Sequence, residues 1–421
     1  MARMTRRDPS CDDDFDHASL SCTEAVARIL AAVEVIEGHE RLHLRAALGR
    51  VLARAIHSPV DVPQHTNSAM DGYALRAADL PATGTTRLAV VGTAFAGRPF
   101  DGALGAGQAV RIMTGAPVPD GADTVIMQEH AEVDSDGVVV DGQHQRGQNV
   151  RAAGEDLRRG QLVLDSGHRL GPAELGLIAS LGIGEVDVTR RVRVAYFSTG
   201  DELRSIGEPL GRGEIFDSNR YTLYGMLREA GAEIIDMGVV RDTHEAVEQA
   251  LREAASVADV VITSGGVSVG EADYIKSVLA AIGEVGFWKV AMKPGRPLAF
   301  GRIGRARFFG LPGNPVSVMV TFQQFVLPAL VRMAGATPRP PLTIQARTTA
   351  TLKKRPGRME FQRGILARSA DGVLEVTPTG DQGSGILRSM STADCYIVLD
   401  IECGRVEPGT LVDVQPFTGT G

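Results

Sequence analysis

Ser264, Gly265 and Gly266, then Ser268 and Gly270, follow the short β-branched run Asp259 to Thr263, and Glu271 and Asp273 open the next helical pattern. A buried strand that feeds a Gly/Ser loop and a helix start suits an anion. The glycines let backbone N–H groups approach it, and the helix N-terminus adds partial positive charge. The two acids would repel a bare phosphate, so the stretch points to a divalent cation held between carboxylates and a phosphorylated ligand. SGGxSxG alone is a weak motif, because most glycine-rich loops are only tight turns.

The elements that must carry this loop alternate. Strand Val192–Phe197, helix Asn219–Ala230, strand Glu233–Gly238, helix His244–Val257, strand Asp259–Thr263, helix Asp273–Ile282 and strand Gly286–Ala291 predict a parallel sheet with helices on both faces. Ligands bind such sheets beyond the carboxyl ends of the strands. The loops there hold Asp201 and Glu202, Asp242, Ser264 to Asp273, and Lys289 with Lys293. After a later strand, Ala306–Gly310, comes Leu311-Pro312-Gly313-Asn314-Pro315. Singly, Asp242 reads as a helix cap and Lys289 as a solvated charge. Acids, lysines and backbone donors gathered at one rim suit phosphoryl or oxyanion chemistry.

The 421 residues exceed one core and predict two to four domains. With 49 glycines and 21 prolines, turns and a sizeable β component are expected. A net charge of −7, with no basic cluster beside aromatic residues, disfavours nucleic-acid binding. No apolar run approaches a membrane span, and the N-terminus lacks the apolar core of a signal peptide. Residues 1–19, basic then acidic, read as a disordered tail. Cys11, Cys22, Cys395 and Cys403 form no CxxC pair and suit a reducing cytoplasm.

Ser21 to Glu37 reads as a capped amphipathic helix. His39-Glu40-Arg41-Leu42-His43 matches the zinc-peptidase pattern H-E-x-x-H, but Gly38 would break the required helix and no third ligand follows, so an extended segment is expected. From 58 to 154 short alternating strands predict a small β domain, with a hairpin turn at Asp136-Gly137. It holds NSAMDGYA (Asn67 to Ala74) and RIMTGAPVP (Arg111 to Pro119), with NVRAAGEDL (Asn149 to Leu157) at its exit. On physics alone Asp71, Thr114, Arg151 and Asp156 there are turn and cap residues. Gly171 to Leu181 gives a short helix. After a Pro338 to Pro341 linker, Leu342 to Phe417 reads as all β. Lys353, Lys354, Arg355, Arg358 and Arg363 suit either an oxyanion or a solvated basic edge, and the residues alone do not choose.

NSAMDGYA, RIMTGAPVPxGAD, RxxGED, STGDEL, SGGVSVGEADY, FWKVAMKPG, LPGNPVS, PGRMEF and GxxGSGxLxSM occur in that order. Together they resemble the molybdopterin molybdenumtransferase family, the bacterial MoeA proteins and the E domain of gephyrin, from about Leu20 to Phe417. The resemblance implies α/β plus all-β architecture in an elongated multidomain homodimer. Its parts would be a composite domain of 20–57 with 155–189, the small β domain 58–154, a three-layer molybdopterin-binding domain 190–336 and a C-terminal β-barrel 337–421. The active cleft would lie between subunits.

The implied substrates are adenylylated molybdopterin and molybdate. The phosphoanhydride is cleaved, AMP leaves, and molybdenum joins the dithiolene sulfurs. In that resemblance Lys289, Lys293, Arg358 and Ser384 match the oxyanion donors, and Asp242, Asp273 and Glu202 the Mg²⁺ ligands. Ser264, Gly265, Gly266 and Ser268 match the phosphate cradle, and Pro312, Gly313 and Pro315 the cleft wall. Asp71, Thr114, Arg151 and Asp156 match positions acting from the other subunit. A molybdopterin adenylyltransferase, and the molybdoenzymes or carriers that receive the cofactor, are the candidate partners. Gephyrin keeps a scaffold protein without turnover as the alternative, since fold alone does not fix function. An adenylyltransferase would need only the α/β part.

Overall fold

The computed structural model describes residues 19–265 and 272–417, with the side chains of 272–276 left out. Of the sequence expectations, the tail up to residue 18, Gly266, Ser268, Glu271 and the Asp273 side chain lie outside the described residues. The chain divides into two compact units, Arg41–Leu48 with Leu52–Asp187, and Met1–Glu40 with Gly49–Val51 and Val188–Gly421.

The second of these holds a six-stranded sheet in the order Glu233–Val240, Arg193–Thr199, Val260–Ser264, Ala306–Leu311, Pro297–Ile303, Gly283–Lys289. The first four strands are mutually parallel. Pro297–Ile303 runs against both of its neighbours. The sequence reading missed that strand, so the predicted parallel sheet is parallel in its core and mixed at one edge.

Both faces are covered, as unbroken apolar strands require. Val194, Tyr196 and Ile262 face one core, packed by the helices Cys22–Ala32, Ser218–Glu229, Pro315–Thr321 and Leu327–Met333. Ala195, Phe197 and Val261 face the other, under the helices His244–Val257 and Ala272–Ile282. Successive strand residues point to opposite faces, so one run of sequence feeds both cores.

The helix expected over Ser21 to Glu37 is shorter. It starts at its Ser21 cap, whose Oγ accepts the Glu24 N–H at 3.1 Å, and leaves helical geometry at Val33. The Val33 carbonyl accepts from Arg332 Nε at 3.2 Å, which holds the chain extended from there. The absence of any run approaching a membrane span also needs correction. Pro315–Met333 is 19 residues with a mean hydropathy of 1.4. Here it is a core helix interrupted by a π-turn at Phe322–Val326, with Val316, Val318, Phe322, Phe325 and Leu330 buried.

The C-terminal segment is a closed five-stranded barrel. Its strands run in the order Met359–Arg368, Leu374–Pro378, Ile344–Thr348, Leu411–Pro416, Cys395–Leu399, and the last pairs back onto the first. Met359–Arg368 also pairs in parallel with Met292–Lys293, which sets Lys293 opposite Glu360.

In the other unit a six-stranded sheet runs Thr124–Met127, Gly72–Leu75, Gln108–Ile112, Thr85–Ala94, Gly137–Asp141, Glu132–Asp134. Tyr73 and Leu75 pack into one core and Ala74 into another. The hairpin turn is Ser135-Asp136, one residue earlier than expected, because Asp134 pairs with Gly137. The helix Pro172–Ser180 follows Gly171, whose N–H donates to Glu174 at 2.9 Å. His39–His43 is an extended strand, and no metal-holding group of three or more His, Cys, Asp or Glu occurs among the described residues.

Candidate functional site

Three parallel strands end together: Arg193–Thr199, Val260–Ser264 and Ala306–Leu311. Their carboxyl ends are tied by close backbone contacts. The Gly265 N–H donates to the Leu311 carbonyl at 3.2 Å. Gly265 has φ +93, and a Cβ there would lie 2.6 Å from the Thr199 carbonyl oxygen. Only glycine fits both the left-handed backbone and the approach.

Asn219, in the first turn of Ser218–Glu229, locks the same ends. Its Nδ2 donates to Ser264 Oγ at 2.8 Å and to the Gly313 carbonyl at 2.7 Å. Asp217 caps that helix by accepting the Arg220 N–H at 3.2 Å. The sequence reading started the helix at Asn219 and missed both residues as site candidates. A D-S-N start is what an ordinary N-cap looks like, and only the distant partners Ser264 and Gly313 set it apart.

A cavity of about 1440 Å³ opens at these strand ends and extends to the barrel. From the strand-end loops it is lined by Asp201, Glu202, Asp242, Ser264 and Gly265, and from the loop after Leu311 by Pro312, Gly313 and Pro315. Lys293, Arg358 and Ser384 also line it, along with Lys353 and Glu360. Ten of the site residues nominated from sequence therefore share one cavity, with Asp201 and Lys353 beside them. Lys289 does not line it: that side chain is exposed at the end of Gly283–Lys289, where its carbonyl accepts from Leu20 N–H at 2.8 Å.

The walls differ in charge. On one side burial first, and then the charges of Asp201 and Glu202, push the Asp242 carboxyl above its ordinary value. On the barrel side Lys293 Nζ lies 3.6 Å from the buried Glu360 carboxylate. Among the described residues, Thr199 Oγ1, Asp217 Oδ2 and Asn219 Oδ1 are buried without a hydrogen-bond partner, all on residues lining the cavity. Buried polar atoms are nearly always satisfied, by protein, water or ligand.

The basic stretch of the barrel resolves into separate roles. Arg358 lines the cavity, whereas Lys354 and Arg363 are buried and not a solvated edge. Lys354 Nζ donates to the Cys403 carbonyl at 2.9 Å, and burial pulls its pKa down. The Arg363 guanidinium donates from Nε to Ser389 Oγ at 3.0 Å and from Nη2 to the Gly383 carbonyl at 3.0 Å.

In the other unit, Asp71 Oδ1 accepts both the N–H and the Oγ1 hydroxyl of Thr114, each at 2.7 Å. Those two bonds, in that order, lead the causes holding its pKa below the ordinary value. Gly72 follows because a Cβ there would sit 1.9 Å from the Ile126 carbonyl oxygen. Arg151 pairs opposite Asn67 and has an exposed side chain. The Asp156 N–H donates to the Val62 carbonyl at 3.0 Å, with its side chain exposed.

Comparison with known proteins matches three regions that together span most of the chain. Residues 20–182 match the MoeA N-terminal region (domain I and II), 195–332 a probable molybdopterin binding domain, and 345–417 the MoeA C-terminal region (domain IV). The chain is 44% identical to a molybdopterin molybdenumtransferase of Haemophilus influenzae, over 94% of this chain and 98% of that one. It is 37% identical to a molybdopterin molybdenumtransferase of Nostoc, over 86% and 85%. Among solved structures, a molybdopterin biosynthesis MoeA protein of Pyrococcus horikoshii superposes with a TM-score of 0.82 at 30% identity, over 95% of this chain and 100% of that one.

Proposed function

The chain belongs to the MoeA family, the molybdopterin molybdenumtransferases of molybdenum-cofactor biosynthesis, and on that premise we propose that its chemistry takes place in the cavity at the carboxyl ends of the sheet. Adenylylated molybdopterin and molybdate are the substrates. Water cleaves the phosphoanhydride and AMP leaves. The two dithiolene sulfurs replace two molybdate oxygens, which depart as water with the thiol protons and two more from solvent. One observation carries this assignment: the cavity has an acidic wall of Asp201, Glu202 and Asp242 and a basic side of Lys293, Lys353 and Arg358. A nucleotide anhydride and an oxyanion need both.

Mg²⁺ is the fitting cation, because its preferred ligands are carboxylate oxygens and phosphates. Burial first, and then repulsion from Asp201 and Glu202, raises the Asp242 carboxyl, and a divalent cation would relieve the repulsion. Asp242, Glu202 and Asp273 would hold it, and when bound it would offset charge on the anhydride. No ready-made group of three or more ligands exists among the described residues, which leaves the Asp273 segment and the substrate phosphates to complete the set.

The remaining steps fall to the chain's own groups. Lys293, Arg358 and Ser384 fix the molybdate. Ser264 and Gly265 open the phosphate cradle that Gly266 and Ser268 would continue. Pro312, Gly313 and Pro315 shape the wall. Lys289 is the fourth oxyanion donor in this reading, reaching the substrate from the end of Gly283–Lys289 beside the cavity. Asp71, Thr114, Arg151 and Asp156 act from the partner subunit of a homodimer, in a cytoplasmic protein.

The test is AMP release and active-cofactor formation by purified protein with adenylylated molybdopterin, Mg²⁺ and molybdate. Molybdate-dependent release by the wild type, lost in Asp273→Asn, supports the assignment. Binding without turnover would point to a scaffold. A monomer in sedimentation would remove the contribution of a second subunit.

A further inference from the structure

Arg363 is 1% exposed, and among the described residues it makes no ion pair. A buried guanidinium without a carboxylate is costly, and burial pulls its pKa down. Its donors go instead to the loop between Gly380 and Leu387 and to Ser389 in the helix Arg388–Thr392 that follows it. Nη2 holds the Gly383 carbonyl, and Nε holds Ser389 Oγ, which in turn donates to the Ile386 carbonyl at 2.7 Å. Gln382 completes the clamp: its Oε1 accepts the Arg363 N–H at 2.7 Å, and its Nε2 donates to the Arg363 carbonyl at 3.1 Å.

The consequence lies at Ser384. A peptide group is planar with C=O and N–H on opposite sides. Gly383 C=O points at Arg363, which does not line the cavity, so the N–H of that same peptide, belonging to Ser384, is turned the other way. The next peptide is fixed as well, because the Ser384 carbonyl accepts the Val316 N–H at 3.1 Å. Ser384 lines the cavity.

We infer that Arg363 is a positioning residue for the oxyanion substrate: it sets the Gly383–Ser384 peptide so that the Ser384 N–H and hydroxyl face molybdate, and it places behind them a positive charge that no carboxylate among the described residues pairs directly. The inference rests on the assignment of molybdate to this cavity. A residue that merely closed the barrel would affect both substrates alike. Arg363 acts on one.

The experiment compares Arg363→Met, which keeps bulk without charge, and Arg363→Lys, which keeps charge without the two-armed fork, in the full chain. Folding is checked by circular dichroism and thermal midpoint. The KM for molybdate and the KM for adenylylated molybdopterin are then measured separately. For Arg363→Met the molybdate KM rises about tenfold or more, while the other KM stays within about twofold. For Arg363→Lys the molybdate KM rises about threefold, also alone. If Arg363→Met does not fold, Arg363→Lys decides. A folded variant with the wild-type molybdate KM, or with both KM values raised together, overturns the inference. Wild-type protein without molybdate-dependent turnover is a separate result, which removes the site assignment and this inference with it.

Discussion

Asn219 and Ser264 meet at 2.8 Å, Nδ2 to Oγ, and the same Nδ2 reaches the Gly313 carbonyl at 2.7 Å. A carbonyl can only accept, so the amide orientation is fixed by this second bond. One side chain thereby joins a helix start to the loops after two neighbouring strands.

Asn219→Ala should therefore cost more than a surface change. It leaves Gly313 O and Ser264 Oγ short of a donor inside the fold, about 1–3 kcal/mol. Urea denaturation checks the loss, and kcat of the folded enzyme should fall with it. Wild-type stability and kcat would show that the strand ends hold their places without Asn219.

Gly265→Ala should fold and fail. The added Cβ meets the Thr199 carbonyl oxygen at 2.6 Å, and the backbone lies at φ +93. Strain of this type costs about 1–3 kcal/mol, and relieving it moves the cradle away from the substrate. The expected outcome is a melting midpoint lowered by a few degrees with AMP release reduced by about a hundredfold or more. A fully active variant would show that the cradle does not depend on this packing.

Asp242 makes a pH prediction of definite sign. Its folded pKa is raised above 3.8, by burial first and then by Asp201 and Glu202, so the folded chain binds this proton more tightly than the unfolded one. Its contribution to stability is most favourable below 3.8, falls as pH rises through the raised value, and stays lower beyond it. Asp242→Asn should then melt higher than wild type at neutral pH, with the gap closing on acidification, while turnover is lost. Added Mg²⁺ should raise the wild-type midpoint more than that of the variant. Equal Mg²⁺ responses would count against Asp242 as a ligand.

Arg190 and Asp259 provide the contrasting case, at the opposite end of the central strand from the cavity. Nη1 and Nη2 of Arg190 reach the two carboxylate oxygens at 2.7 and 2.8 Å, and the Arg193 N–H adds a third bond at 2.8 Å. Burial alone would raise the Asp259 pKa, but the bonds from Arg190 and Arg193 hold it below the ordinary value. The contribution is present above that ordinary value and lost as pH falls through the folded pKa. Asp259→Asn should cost about 1–3 kcal/mol near neutral pH, discounted from a fully buried pair for partial exposure. The difference should shrink in acid. Because the pair is structural, kcat of the folded variant should match wild type.

Much of this site could be read from residues alone, for identifiable reasons. The runs around Val194, Val260 and Phe308 are apolar and bounded by glycine or acid, which marks buried strands and puts Asp201, Asp242 and Ser264 at one rim. Pro297–Ile303 escaped notice because Pro297 and Gly301 break the pattern of a strand. The helix Pro315–Met333 escaped because continuous apolarity with an internal Pro328 carries no amphipathic period. Asn219 and Gln382 escaped for another reason, and for the same reason Arg363 stayed undecided between an oxyanion role and a solvated basic edge. Their importance lies in partners far away in sequence, and no spacing rule encodes a hydrogen bond across 94 residues. Lys289 reads with Lys293 at the rim, from its strand-end position and from the resemblance, but its exposed side chain is not among the residues that line the cavity.

The most direct measurement is an anomalous difference map at the molybdenum absorption edge, from crystals grown with molybdate and AMP. The account predicts a peak inside the cavity, within hydrogen-bonding reach of Arg358 and Ser384. A peak elsewhere on the protein, or none from crystals of enzyme that turns over in solution, would contradict it.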